Sequence, residues 1–296
     1  MSESDAKRVP PPHPHPRQPR IRLPALACDA HVHVYGPAER FPFAPARPYT
    51  PDDAPVGRLW DLHRMLGIER AVYVQATVHG YDNAAILDAI ARDPVRGRGV
   101  ALVRTDINDA QLQRLHAAGI RGVRFNFVKH LRETPDTAAA LGLAERIAPL
   151  GWHVQVHVGP QDIIEQRDFL LRLPCPFVID HMGRTPVQEG LRQPACEVLL
   201  ELLSAPHGWV KLSGPERLSA VLSQGAAFAY DDVVPFAQQL LATAPGRCVW
   251  GTDWPHPNVR EMPDDGDLVD LLAHYGGRDT LQRLLVDNPA RLYGFE

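Results

Sequence analysis

The sequence predicts an α/β fold, a single (β/α)8 (TIM) barrel with a disordered or extended N-terminal tail. Three observations predict it. From residue 25 onward, short apolar runs rich in β-branched residues alternate with amphipathic stretches, the pattern of parallel β/α architecture. Eight such runs can be counted. No Gly-rich phosphate loop follows the first run, as an open doubly wound sheet would lead one to expect. The chain's 296 residues also exceed the roughly 250 that a barrel of this kind needs.

The strand candidates are residues 27–34, 70–76, 98–103, 120–126, 152–158, 176–181, 208–213 and 247–253. Helix signals fall between them. LWDLHRMLGI ends on a glycine, NAAILDAIARDP opens on Asn and stops before Pro, and NDAQLQRLHAAGI opens on Asn-Asp and stops at Gly. Two long loops, 36–55 after the first strand and 214–230 after the seventh, have the length of functional or mobile segments.

The chain divides into a Pro-, Arg- and His-rich tail, 1–24, and a barrel domain, 25–296. The tail has too little apolar surface to offset its ordering entropy, so a mobile tail or an arm on the surface is expected. Its His13 and His15 lie among prolines that favour an extended solvated segment over a metal site. Hydrophobic residues make up 45% of the chain, but no run is long and apolar enough to span a bilayer. The N-terminus lacks the apolar centre of a signal peptide, which points to the cytoplasm. A net charge of −4 argues against nucleic acid as a partner. Cys28, Cys175, Cys196 and Cys248 form no C-x-x-C pair and read as buried free thiols.

The histidines carry the functional signal. His31 and His33 are two apart on the first strand and so face the same side, the interior of a barrel. His157 and His181 end strands five and six, and Asp253 ends strand eight. Any one of these reads equally as a core histidine or a turn cap. Together they lie where parallel strands converge on one mouth. Burying imidazoles there is costly unless they bind something.

On DAHVHVYGPAERFPFAPARPYTP, HGYDNAAILDAIARDP, GIRGVRFNFVKHL, VIDHMGR and VWGTDWPHPN, the chain resembles the amidohydrolase superfamily. The likeness is greatest to its branch of 2-pyrone-4,6-dicarboxylate lactonases and sulfomuconolactone hydrolases, and it covers roughly residues 26–296. The resemblance implies hydrolysis of a small carboxylated lactone in aromatic-compound degradation. It implies Asp253 as general base, His31, His33 and His181 around the carbonyl, and Tyr49, Thr77, Arg124 and Arg217 on substrate carboxylates. The branch pattern has Arg at the place of His130, a further substrate position, and Tyr near His157. Those departures weaken one substrate clamp and supply a metal ligand on strand five.

Two modes stay open. In one, burial raises the pKa of Asp253 and makes it a better base, while the imidazoles donate to the carbonyl oxygen. In the other, His31, His33, His157, His181 and Asp253 hold one divalent ion, Zn2+ or Mn2+. Arg184, Lys129 and Arg132 add positive charge around the mouth, suiting a small anionic substrate. Tyr49 would reach in from the first long loop, and His79 and His256 flank the site. A metal-dependent decarboxylase or a lactone isomerase on the same fold is the alternative, distinguished by its product. A non-catalytic binding barrel is a third reading, under which Asp253→Asn would leave ligand affinity intact.

Overall fold

The computed structural model describes residues 6–128, 135–221 and 229–296. Eight parallel strands form one sheet in simple sequential order: β1 (Cys28–Val32), β2 (Arg70–Val74), β3 (Gly97–Ala101), β4 (Ile120–Asn126), β5 (His153–His157), β6 (Phe177–Ile179), β7 (Gly208–Lys211) and β8 (Cys248–Val249). Each falls inside or within one residue of a run expected from the sequence. The sheet closes on itself through backbone hydrogen bonds from Ala30 N to Trp250 O (2.8 Å), Asp253 N to His31 O (2.9 Å) and His33 N to Trp254 O (2.8 Å). Gly251 makes this join possible, because a Cβ there would lie 2.5 Å from His31 N.

The helices follow their sequence signals. The first, α1 (Val56–Leu66), ends at Gly67 in the left-handed region (φ 79°). Then comes α2 (Ala84–Arg92), whose first turn is capped by Asp82, while Asn83 bonds Leu102 instead. The third, α3 (Asp109–Ala117), carries a full capping box between Asn108 and Gln111. The four cysteines are free and buried.

The first strand carries a bulge between Asp29 and Val32. It places Ala30 and His31 on the same side, so Asp29 turns outward to His63 of α1 while His31 and His33 face the barrel interior. Asp29 then stitches the closing seam. Its carboxylate accepts from His31 N (3.1 Å), Thr252 N (3.0 Å) and Thr252 Oγ1 (2.6 Å).

The N-terminal segment runs as an extended arm. Lys7–Arg8 pairs in parallel with Tyr49–Thr50, and Val9 is buried. Further on, Arg17 bonds Asp264, Asp267 and Asp270 at the start of the helix Asp265–Tyr275. Among the described residues, no helix is long and apolar enough to cross a membrane.

Candidate active site

Five side chains from four strand ends converge at the C-terminal mouth of the barrel. Asp253 Oδ1 lies 3.5 Å from His31 Nε2, 3.4 Å from His33 Nε2 and 3.8 Å from His181 Nε2. His157 stands edge-on to His181, with ring centroids 5.6 Å apart. A small pocket opens above them, and Tyr49, Thr77, Arg124, Arg184, Arg217 and Asn258 also line it. His130 lies outside the described residues.

Local backbone geometry aims these groups. His181 and Asp253 both adopt left-handed φ angles, 50° and 68°, just after their strands end. That conformation is uncommon for residues other than glycine and clusters at functional sites. It turns each side chain from the strand axis into the mouth.

The protonation states follow from burial and neighbours. His181 and His157 are held well below the ordinary histidine range, mainly by burial, and His31 is pushed down to about 3 for the same reason, with Lys211 adding to it. These three rings are neutral. His33 Nδ1 donates to Val74 O at 2.8 Å, so a neutral His33 presents a lone pair at Nε2. His181 Nδ1 is bonded to Ser213 Oγ at 2.9 Å.

The expectation for the base is corrected by the geometry. Burial does push the Asp253 carboxyl up, but His181 and the Arg217 guanidinium outweigh it and hold it well below the usual range. Arg217 Nη2 sits 2.5 Å from Asp253 Oδ2 and also donates to Pro257 O at 2.9 Å. Asp253 is thus ionised, with Oδ2 occupied by Arg217 and Oδ1 buried without a hydrogen-bond donor of good geometry among the described residues.

Below the mouth lies a polar layer inside the barrel that the sequence reading did not assemble. Arg124 bonds Asp180 Oδ2 through Nε (3.1 Å) and Nη2 (3.0 Å), and Gln155 Nε2 donates to the same oxygen (3.0 Å). Lys211 Nζ donates to Gln155 Oε1 (2.7 Å) and Ala30 O (2.8 Å). The alternation of inward positions was the available signal: Lys211 and Ser213 share a face, as do His153, Gln155 and His157. Among the pocket cations, Arg124 and Arg217 each hold a carboxylate of the chain. Arg184 is half-buried and has no hydrogen bond or ion pair among the described residues. Burial and the nearby Arg217 lower its pKa, outweighing the opposite pull of Asp253, Asp162 and Glu216.

His31, His181 and Asp253 each offer one ligand atom, all within 4.8 Å of one another, the spacing of a single divalent ion. His31 Nε2 and Asp253 Oδ1 are buried without a hydrogen-bond partner among the described residues, which fits a donor set for a cation.

The chain is similar to known proteins over most of its length. The 2-pyrone-4,6-dicarboxylate hydrolase of Comamonas testosteroni is 48% identical over 282 residues, covering 93% of this chain and 92% of that protein. The 4-sulfomuconolactone hydrolase of Rhizobium radiobacter is 37% identical over 302 residues, covering 99% of each. The crystal structure of a probable 2-pyrone-4,6-dicarboxylic acid hydrolase from Acinetobacter baumannii with citric acid bound superposes with a TM-score of 0.79. It has 26% identity and covers 91% of this chain and 100% of that one. The amidohydrolase family profile matches residues 28–295, and the chain belongs to that family.

Proposed function

We propose that this protein is a hydrolase that opens a small lactone bearing carboxylate groups, such as a pyrone dicarboxylate or a muconolactone derivative. The observation that carries this reading is an ionised Asp253 beside neutral imidazoles in a pocket also lined by Arg124, Arg184 and Arg217. The curated relatives named above act on lactones of this class, and one structural relative holds a tricarboxylic acid, which supports an anionic substrate.

Water attack assigns a part to each group. A water on the pocket side of Asp253 Oδ1 and His33 Nε2, atoms 3.4 Å apart, would reach both and find an acceptor for each hydrogen. Asp253 takes one proton as the water oxygen bonds the lactone carbonyl carbon. Imidazole N–H groups from the other rings stabilise the oxyanion, a contribution on the order of 3 kcal/mol per donor. Collapse of the tetrahedral species breaks the ring C–O bond, and the proton on Asp253 passes to the departing oxygen. The products are a hydroxyl or enol and a new carboxylic acid, which releases the water's second proton to solvent and becomes a carboxylate.

The low basicity of Asp253 need not persist through binding. A substrate carboxylate that bonds Arg217 draws the guanidinium's charge away from Oδ2 and returns basicity to the carboxylate. Arg184 offers the second anchoring point. A divalent ion on His31, His181 and Asp253, with His33 and His157 beside it, would polarise the carbonyl and lower the pKa of a bound water.

The test is a panel of mono- and dicarboxylated lactones and their neutral esters. Ring opening is followed by absorbance and proton release, with and without chelator and after metal analysis. Turnover of carboxylated lactones above the neutral ones supports the reading. Absence of any ring opening, or release of CO2 instead, overturns it. Loss of turnover with chelator, restored by Zn2+ or Mn2+, assigns the metal mode.

A further inference from the structure

We propose that Lys211 is a positioning residue that fixes His31 in the tautomer carrying its proton on Nε2, so that this proton faces the pocket. The inference rests on the hydrolytic reading of the site, but its central measurement does not.

Lys211 is fully buried inside the barrel at the end of β7. An ammonium has three hydrogens and no lone pair. Two go to the Ala30 carbonyl and to Gln155 Oε1, at 2.8 and 2.7 Å. The third is directed at His31 Nδ1, 3.4 Å away. That bond exists only if Nδ1 carries the lone pair, which leaves the ring hydrogen on Nε2. The nitrogen of an imidazole that holds the proton is set by the bond its other nitrogen makes.

Asp180 is the competitor, since its Oδ1 lies 3.3 Å from the same Nδ1 and would favour the opposite tautomer. Two observations decide against it. The Asp180 Oδ1 contact, although the shorter, is an ion pair that misses hydrogen-bond geometry, and that oxygen also faces the Lys211 ammonium at 3.7 Å, whereas the Lys211–His31 contact has hydrogen-bond geometry. Asp180 is also already neutralised through Oδ2, which takes three hydrogen bonds from Arg124 and Gln155. Turning an N–H toward the ammonium would set two donors face to face, and the ammonium is tied to Ala30, the residue next to His31.

The consequence is a division of labour on one strand. His33 carries its proton on Nδ1 and presents a lone pair to the pocket. His31 carries its proton on Nε2 and presents a buried donor that makes no hydrogen bond of good geometry among the described residues, Asp253 Oδ1 lying 3.5 Å away. His31 is thereby a ready donor for the oxyanion, and His33 an acceptor for the water. A cation binding His31 at Nε2 would first have to displace that proton.

The test is 15N NMR of histidine-labelled full-length protein, with the His31 signals assigned by loss in His31→Asn. The expected result is wild-type His31 protonated on Nε2. In Lys211→Met the proton moves to Nδ1, where Asp180 captures it. kcat for the carboxylated lactone should then fall about ten- to a hundredfold, as for other partners that orient a working histidine, with KM nearly unchanged. A wild-type proton on Nδ1 overturns the proposal even if the variant does not fold. So does a proton that stays on Nε2 in a folded Lys211→Met. A wild type that opens no lactone removes the proposed function while leaving the tautomer result standing.

Discussion

At the scale of single residues, the site is a set of neutral rings around one charged oxygen, and its behaviour should follow from that charge. Asp253→Asn keeps the shape and removes the base. kcat for a carboxylated lactone is expected to drop at least about a hundredfold in steady-state assays, and near-normal turnover would reject the role. Arg184 is the pocket cation with no partner among the described residues, so its neutral variant should be felt in binding. Arg184→Gln is expected to raise KM for carboxylated lactones roughly tenfold or more, the cost of one charged hydrogen bond, while neutral esters are unaffected. His31, His33, His181 and Asp253 were legible in the sequence because strand parity and strand ends suffice to place them. The weakened basicity of Asp253 was not, because it depends on Arg217, which arrives from the short helix Pro215–Leu218, 36 residues earlier in the chain. Lys211, Gln155 and Asp180 were equally hidden. Each sits in an apolar run whose inward face is clear, but their partners lie on other strands.

At the scale of elements, helix boundaries were readable where the cap chemistry is local. Asn108 and Gln111 satisfy each other's backbone donors at the start of α3, far from the pocket. Asn108→Ala is expected to lower the unfolding free energy by about 1 kcal/mol in urea titrations and leave kcat and KM alone. The bulge in β1 could not be read in advance. Simple alternation would put Asp29, His31 and His33 on one face, and only the bulge separates the first from the other two. Nor could the glycine at the closing join be distinguished from an ordinary turn glycine. Gly251→Ala should cost at least about 1–3 kcal/mol through overpacking against His31. It should also reduce kcat, because the displaced backbone carries a ring of the site.

At the scale of the whole molecule, barrel class and strand count came from periodicity and alternation alone. The path of the N-terminal arm did not, since its docking depends on Arg17 meeting Asp264, Asp267 and Asp270 some 250 positions away. Buried histidines also give the fold a defined response to acid. His153, at the opposite end of the barrel interior, has both ring nitrogens unpartnered among the described residues, and burial pushes it from the ordinary 6.5 down to about 3. His31 is pushed down likewise. Between those values the unfolded chain binds protons that the folded chain refuses, so stability falls as pH drops from about 6.5 and levels off near 3. His153→Leu removes one such group. Its acid-unfolding midpoint, followed by circular dichroism, is expected at lower pH than wild type, and an unchanged midpoint would exclude the effect.

The eighth strand pairs with its neighbour over only Cys248–Val249, so the last and first strands are held together largely by the Asp29 carboxylate and three backbone bonds. Those same links set how far Asp253 stands from His31 and His33. Thermal breathing should therefore part the reacting groups while seven strands remain laced, and warming would silence turnover before ellipticity is lost. A bound product or inhibitor gripping both sides would act as a rivet, raising the melting temperature most where the cylinder is weakest.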